Sequence, residues 1–103
     1  MPAVVRIGDL DFPHCSPMVR AVGSPTVFVA GQPVSFKGCV NTVHLKPGGI
    51  YCRPHVGAIS IGSLTVKVHN LGIGRIGDSL TEIDSSIKCT FCAQGDPTVF
   101  AGG

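Results

Sequence analysis

A short two-part unit that occurs three times constrains the fold of this chain more than any other feature. Its first part is present as GSPTV at 23–27, GSLTV at 62–66 and GDPTV at 95–99, so successive copies start 39 and 33 residues apart. Its second part is present as VRIGD at 5–9 and GRIGD at 74–78, with a degenerate middle copy, SFKGC, at 35–39. Because a repeat of this length forms one supersecondary unit, we expect three similar units that pack on each other.

Each unit is predicted to be a β-hairpin. In the first unit, β-branched and aromatic residues at 27–29 and 34–36 flank a Gly- and Pro-containing turn at 30–33. In the second unit, strands at 65–68 and 73–76 flank a turn at 69–72. Gly and Pro, the weakest helix formers, account for 22 of 103 residues, and no window has a helical apolar period. We therefore predict an all-β fold of short hairpins, which are stable only when packed together.

The charge and length of the chain exclude several classes of protein. Charged residues make up 14% of the chain and the net charge is +2, which is too small to indicate nucleic acid or an anionic membrane as a partner. The 103 residues predict one domain over 1–103 with no appended effector domain. No segment is long enough to span a membrane, and the N-terminus has no signal-peptide pattern. We therefore expect synthesis and folding in a reducing bacterial cytoplasm.

The motifs and their order resemble those of the PAAR-repeat family, the spike-tip proteins of phage tails and of contractile injection systems such as type VI secretion. The matching residues span nearly the whole chain: MPAVVRIGD at 1–9, His14, GSPTV at 23–27, His55 to Gly57 followed by Gly62 and Ser63, RIGD at 75–78, and GDPTV at 95–99. The chain departs from the family pattern where Cys39 replaces the usual Asp, and where Cys89 follows Asp78 by 11 residues.

The resemblance implies a fold and a function. The fold is a small cone of β-hairpins with pseudo-threefold internal repeats, with one zinc ion bound by three His and one Cys near its vertex. The function is that of a structural tip, not an enzyme: it caps and sharpens a trimeric β-helical spike, one chain per trimer, for membrane puncture. The expected location is the tip of a virion tail spike or of a secretion spike. Contact with the target membrane is transient, and no small-molecule substrate or nucleic acid is expected.

The spacing of three histidines points to the same metal site. His14 stands five residues after Asp9, and His44 stands five residues after Cys39, so the two occupy equivalent positions in two repeats. A threefold arrangement of the repeats would bring these two side chains together. His55 precedes the segment that enters the second GS-x-TV copy. Three imidazoles and one thiolate suit a tetrahedral Zn²⁺, which accepts both nitrogen and sulfur ligands.

The cysteine that supplies the thiolate is the least determined ligand. Cys89 and Cys92 form one C-x-x-C, and no second C-x-x-C exists to complete a four-cysteine site. We predict Cys89 as the ligand in preference to Cys92, and Cys52 is a third candidate because it lies near His55. The predicted set is therefore His14, His44, His55 and Cys89.

Several other candidate residues are predicted not to bind metal. Cys15 would point away from its neighbour His14 in an extended segment, and Cys39 is expected to be a small buried residue. His69 lies in a predicted hairpin turn. Asp9 and Asp78 recur with the repeat, so we expect them to form turn hydrogen bonds rather than to act as acid–base catalysts.

Two other functions remain open alternatives. Three histidines and a bound water would form a small zinc enzyme, whereas a fourth protein ligand would close that position. A disulfide-stapled extracellular binding module would hold no metal, although an odd number of cysteines, five, fits a disulfide framework poorly. The coordination of the metal separates the first alternative from the tip protein, and thiol titration separates the second.

Overall fold

Short β-strands form all the regular secondary structure that is described. The computed structural model describes residues 2–13, 17–48, 51–82 and 88–102, and for residues 44–48, 51–55 and 88 it describes the backbone. Within these ranges there are nine strands and no helix, so the prediction of an all-β fold is confirmed. The same ranges hold no helix long and apolar enough to cross a membrane. The radius of gyration, 12.9 Å, is that of a compact chain of this length.

The strands form four small antiparallel sheets. The strands are β1 (Phe28–Val29), β2 (Gln32–Pro33), β3 (His44–Gly48), β4 (Tyr51–His55), β5 (Gly57–Ile59), β6 (Lys67–Val68), β7 (Leu71–Gly72), β8 (Ser79–Glu82) and β9 (Lys88–Phe91). Strands β1 and β2, β3 and β4, and β6 and β7 pair as hairpins, and the fourth sheet has the order β5-β8-β9.

Two of the predicted hairpins are present, but their turns are shorter than expected. The β1–β2 turn consists of Ala30 and Gly31, with φ angles of 51° and 79°. The β6–β7 turn consists of His69 and Asn70, with φ angles of 52° and 65°. Two left-handed residues make a turn whose twist matches that of the flanking strands, so pairing resumes at once. The four-residue turns predicted at 30–33 and 69–72 were therefore wrong by two residues.

The predicted second strands of these hairpins also pair with other units. Val34 forms an antiparallel bridge with Arg6, and Ile73 forms one with Phe36. The bridge from Val4 to Arg75 connects the remaining two units. Val34 N–H and Ile73 N–H still donate within their own hairpins, to the carbonyls of Val27 and Val66. The residue after each, Ser35 or Gly74, donates to a different unit, so these segments bond both to their own hairpin and to another repeat.

Three backbone hydrogen bonds close a ring through the three units. Val5 N–H donates to the carbonyl of Gly74 at 3.0 Å, Gly74 N–H donates to Ser35 at 2.8 Å, and Ser35 N–H donates back to Val5 at 3.1 Å. A Cβ at Gly74 would lie 2.6 Å from Cδ1 of Ile59 and 2.8 Å from Cγ2 of Val5. The three units meet so closely here that the position of Gly74 has no room for a side chain.

The three copies of the second motif form the same turn. Gly8, Gly38 and Gly77 each have a φ of 91°. In each copy the residue after this glycine donates its N–H to the carbonyl three residues earlier, at 3.0, 2.9 and 3.1 Å. The degenerate middle copy therefore keeps the backbone of the other two. The buried side chains form two clusters, one of Val4, Val34, Val68, Ile73 and Ala101 and a second of Val5, Ile59, Leu80, Cys89 and Cys92.

Candidate functional site

The β3–β4 hairpin brings two of the predicted metal ligands into register. His44 opens β3, His55 closes β4, and the two are direct partners across the strands. Directly opposed residues of an antiparallel pair share one face of the sheet. The backbone therefore places these two positions side by side, although they are separated by a whole hairpin in sequence. The third predicted histidine, His14, lies outside the described residues.

Cys89 lies next to the segment that follows His55. It belongs to β9 and is buried. A Cβ built at Gly57, two residues after His55, would lie 3.0 Å from Cys89 Sγ and 3.1 Å from its Cβ. The sulfur is thus packed against the first residue of β5, close in the chain to one predicted ligand.

Cys92 and Cys39 have environments that disfavour a thiolate. Burial raises the pKa of Cys92 to about 12. The Arg20 charge opposes this increase, and the neighbouring Asp11 carboxylate adds to it. Burial also raises the pKa of Cys39. A zinc ligand must be deprotonated, so burial disfavours Cys92 and Cys39 as ligands. The choice of Cys89 stays a prediction. The side chain of Cys52 and all of Cys15 lie outside the described part of the structure.

The complete ligand set remains a prediction. Among the side chains that the structure describes, no three of the His, Cys, Asp or Glu type form a group that could hold a metal ion. The side chains of His14, His44 and His55 do not belong to that described set.

A buried polar network, not anticipated from the sequence, lies beneath this region. Arg20 is 0% exposed, and Asp11 and Asn41 are each 1% exposed. Asp11 Oδ2 accepts hydrogen bonds from Arg20 Nε at 3.0 Å and from Asn41 Nδ2 at 3.0 Å. A sequence signal for it exists, because Asp11 and Asn41 each stand three residues after a turn glycine, Gly8 or Gly38.

The network holds Gly57 at both of its backbone groups. Arg20 Nη2 donates to the Gly57 carbonyl at 3.2 Å, and the Gly57 N–H donates to Asn41 Oδ1 at 2.8 Å. Arg20 Nη1 also donates to the Cys39 carbonyl at 3.0 Å. A single buried guanidinium therefore connects three separate segments of the chain.

Strand β9 is joined to the segment that precedes His14. Phe12 N–H donates to the Phe91 carbonyl at 2.9 Å, and Thr90 Oγ1 donates to the Phe12 carbonyl at 2.9 Å. The rings of Phe12 and Phe91 stack with their centroids 5.0 Å apart. The backbone that carries Cys89 is thus fixed to the backbone that leads to His14.

Asp9 and Asp78 have the turn role predicted for them. Asp9 Oδ2 accepts the Arg6 N–H at 2.8 Å, and Asp78 Oδ2 accepts the Arg75 N–H at 2.7 Å. Each carboxylate also forms an ion pair with the arginine of its own turn, at 3.0 and 2.9 Å. In the middle unit both partners are changed: Phe36 stands in the position of the arginine and the buried Cys39 in that of the aspartate.

His69 lies in the β6–β7 turn, as predicted, and it also contacts another unit. Its Nε2 lies 2.9 Å from the hydroxyl of Ser24, in the first GS-x-TV motif. Its ring packs edge-on against Phe36, with the centroids 5.7 Å apart. These contacts give His69 a structural role.

The three GS-x-TV motifs form similar turns that each expose a valine. Ser24 Oγ accepts the N–H of Val27 at 2.9 Å, Ser63 Oγ accepts that of Val66 at 2.9 Å, and Asp96 Oδ1 accepts that of Val99 at 3.1 Å. The three valines are 38%, 40% and 38% exposed. Phe28 follows Val27 and Phe100 follows Val99, and both phenylalanines are also exposed. Lys67 follows Val66. We call Val27, Val66, Val99, Phe28 and Phe100 the candidate docking face.

Comparison with known proteins does not assign the chain to a family. No protein-family model matches it, and no curated protein matches it at a significant level. The resemblance to the PAAR-repeat family accordingly remains a prediction that depends on the motifs.

Proposed function

We propose that the chain is a structural tip protein that caps a trimeric β-helical spike, one chain per trimer, in a contractile injection machine. The machine is a phage baseplate or a type VI-like secretion system, and the tip touches the target membrane only during puncture. One structural Zn²⁺, bound by His14, His44, His55 and Cys89, stabilises the end away from the spike. No catalytic role is part of this proposal.

Two features of the backbone support a pseudo-threefold cone. The turns at Gly8, Gly38 and Gly77 have the same φ and the same closing hydrogen bond. The ring through Val5, Ser35 and Gly74 gives each unit one donor and one acceptor toward its neighbours. In this proposal, these similarities let a single chain contact three identical subunits in a similar way.

The observation that carries the proposal is the equal exposure of Val27, Val66 and Val99. The end of a trimeric β-helix presents unpaired backbone groups and an open apolar interior, which is an association hazard unless it is covered. Three valines on similar turns, exposed to nearly the same extent, offer one apolar contact to each subunit. Phe28 and Phe100 add exposed apolar area beside two of these contacts.

The zinc site is supported by the register of His44 with His55 and by the packing of Cys89 against Gly57. Four protein ligands would leave no position for a reactive water, so this set is that of a structural ion rather than of a zinc enzyme. Because the assembled site does not exist in the unfolded chain, binding of the ion would add directly to the free energy of unfolding.

Native mass spectrometry with a cognate trimeric spike fragment tests the docking function. We expect a complex of one chain with three spike subunits. The Val27→Glu variant should lose this complex and keep its zinc, because a carboxylate would be buried at the contact. Val43→Glu is the matched control, since Val43 is exposed outside the candidate docking face. A three-to-three complex, or no complex with a verified cognate spike, would contradict the proposal.

A further inference from the structure

The ion pair between Arg20 and Asp11 is buried without an evident benefit to stability. Arg20 Nη2 lies 2.9 Å from Asp11 Oδ2, and both side chains have 0% exposure. Removing two charges from water is costly, and a buried pair is commonly no more stabilising than apolar residues of similar size. A buried pair can instead fix the relative positions of the segments that it connects.

Each contact of this network leads to a segment that carries a predicted zinc ligand. Asp11 stands three residues before His14, and Asn41 stands three residues before His44. Gly57 stands two residues after His55, and both its N–H and its carbonyl are held by the network. The β3–β4 hairpin already relates the second and third of these segments, but no local turn fixes the first, which leads to His14, relative to them.

Cys89, the fourth predicted ligand, packs against Gly57, the residue that the network holds. Gly57 has no side chain, and Cys89 Sγ packs 3.0 Å from the point where its Cβ would lie. The position of Gly57 therefore sets the distance between the Cys89 sulfur and the strand that ends at His55. A shift of Gly57 would move one ligand segment against another.

We propose that Arg20 is a positioning residue for the zinc site, acting together with Asp11 and Asn41. The planar guanidinium donates at once to the Asp11 carboxylate and to the carbonyls of Cys39 and Gly57, and this fork fixes three segments in one geometry. The inference rests on the zinc site of the proposed function. The inference goes beyond that site because it assigns the geometry of the four ligands to residues that do not contact the metal.

The test compares two conservative variants, Arg20→Lys and Arg75→Lys. Lysine keeps the charge that balances Asp11 but cannot reproduce the fork. Arg75 is the matched control: it pairs with Asp78 and donates to the carbonyls of Gly62 and Gly102, which belong to no ligand segment. Zinc affinity is measured by competition with a chromophoric chelator, and the visible spectrum of the cobalt(II)-loaded protein reports tetrahedral geometry.

We expect Arg20→Lys to weaken zinc binding by about 10–100-fold, the usual effect of losing a residue that orients metal ligands. Its cobalt(II) spectrum should also change, whereas Arg75→Lys should leave both the affinity and the spectrum as in the wild type. If Arg20→Lys does not fold, Asn41→Ala replaces it. This variant keeps the Arg20–Asp11 ion pair and removes the acceptor of the Gly57 N–H together with the Nδ2 donor to Asp11.

The outcomes separate this inference from the zinc site itself. A wild-type protein that binds no zinc overturns both. A wild-type protein that binds zinc, together with a folded Arg20→Lys or Asn41→Ala variant of unchanged affinity and cobalt(II) spectrum, overturns the positioning role alone. A decrease in melting temperature with neither readout altered assigns the network to stability and also overturns the inference.

Discussion

The Gly57→Ala substitution tests the packing of Cys89 with one added methyl group. That methyl carbon would lie 3.0 Å from Cys89 Sγ, 3.1 Å from Cys89 Cβ and 3.3 Å from Leu80 Cβ. Carbon atoms in contact are normally about 3.5–4.0 Å apart, so these neighbours must retreat by about half an ångström. Two of the three contacted atoms are Cβ atoms, which move only with the backbone of β8 and β9.

The expected loss of stability follows from these contacts. Overpacking in a core costs about 1–3 kcal/mol, and the lower entropy of an unfolded chain with alanine returns about 0.4–1 kcal/mol. We therefore expect Gly57→Ala to lower the free energy of unfolding by about 1–2 kcal/mol. For a chain of this length that corresponds to a decrease in melting temperature of about 4–16 °C. If Cys89 is a zinc ligand, zinc affinity should fall as well.

Thermal denaturation with zinc and with a strong chelator measures both effects. Gly31→Ala is the matched control: its Cβ would meet nothing within 4 Å, and only its φ of +79° is strained, at a cost of about 1–2 kcal/mol. The control should lose similar stability and keep the wild-type response to zinc. A Gly57→Ala protein that melts within about 1 °C of the wild type would refute the packing argument.

Two further predictions concern the metal and pH. Protein purified without added metal should contain one zinc per chain. Cys89→Ser should lose the zinc, whereas Cys92→Ser should keep it. Elemental analysis that finds iron, or zinc in both variants, would contradict the ligand set. The Thr98 hydroxyl and N–H, with a smaller effect of Arg6, hold the pKa of Asp96 below its usual range. The stability that its charge contributes is therefore complete above the unfolded-state pKa, about 4, and is lost as the pH falls through the lower folded-state value. In urea denaturation, Asp96→Asn should be less stable than the wild type at pH 7, and the difference in free energy of unfolding should shrink in acid. A difference independent of pH would argue against a contribution from the Asp96 charge.

The local elements of this protein could be predicted from its motifs. The short hairpins and the recurring glycine turns depend on residues close together in the chain, such as Gly31 and Gly77, so their chemistry is visible in the motif. The hydrogen bonds predicted for Asp9 and Asp78 are equally local, because donor and acceptor are three residues apart. A relation between His14 and His44 could also be proposed from the sequence, because each stands five residues after an equivalent position of the repeat.

The pairing of the units and the buried residues between them depend on contacts that form only in the folded chain. Val34 and Ile73 looked like parts of local hairpin strands only, yet each also bridges to another unit, because the residue that follows it donates its N–H across to that unit. The burial of Arg20 was also invisible, since an arginine is exposed unless distant partners satisfy all its donors. Those partners come from three segments up to 37 residues away. A contact between residues so far apart depends on how all three units pack, and no short stretch of sequence carries that information.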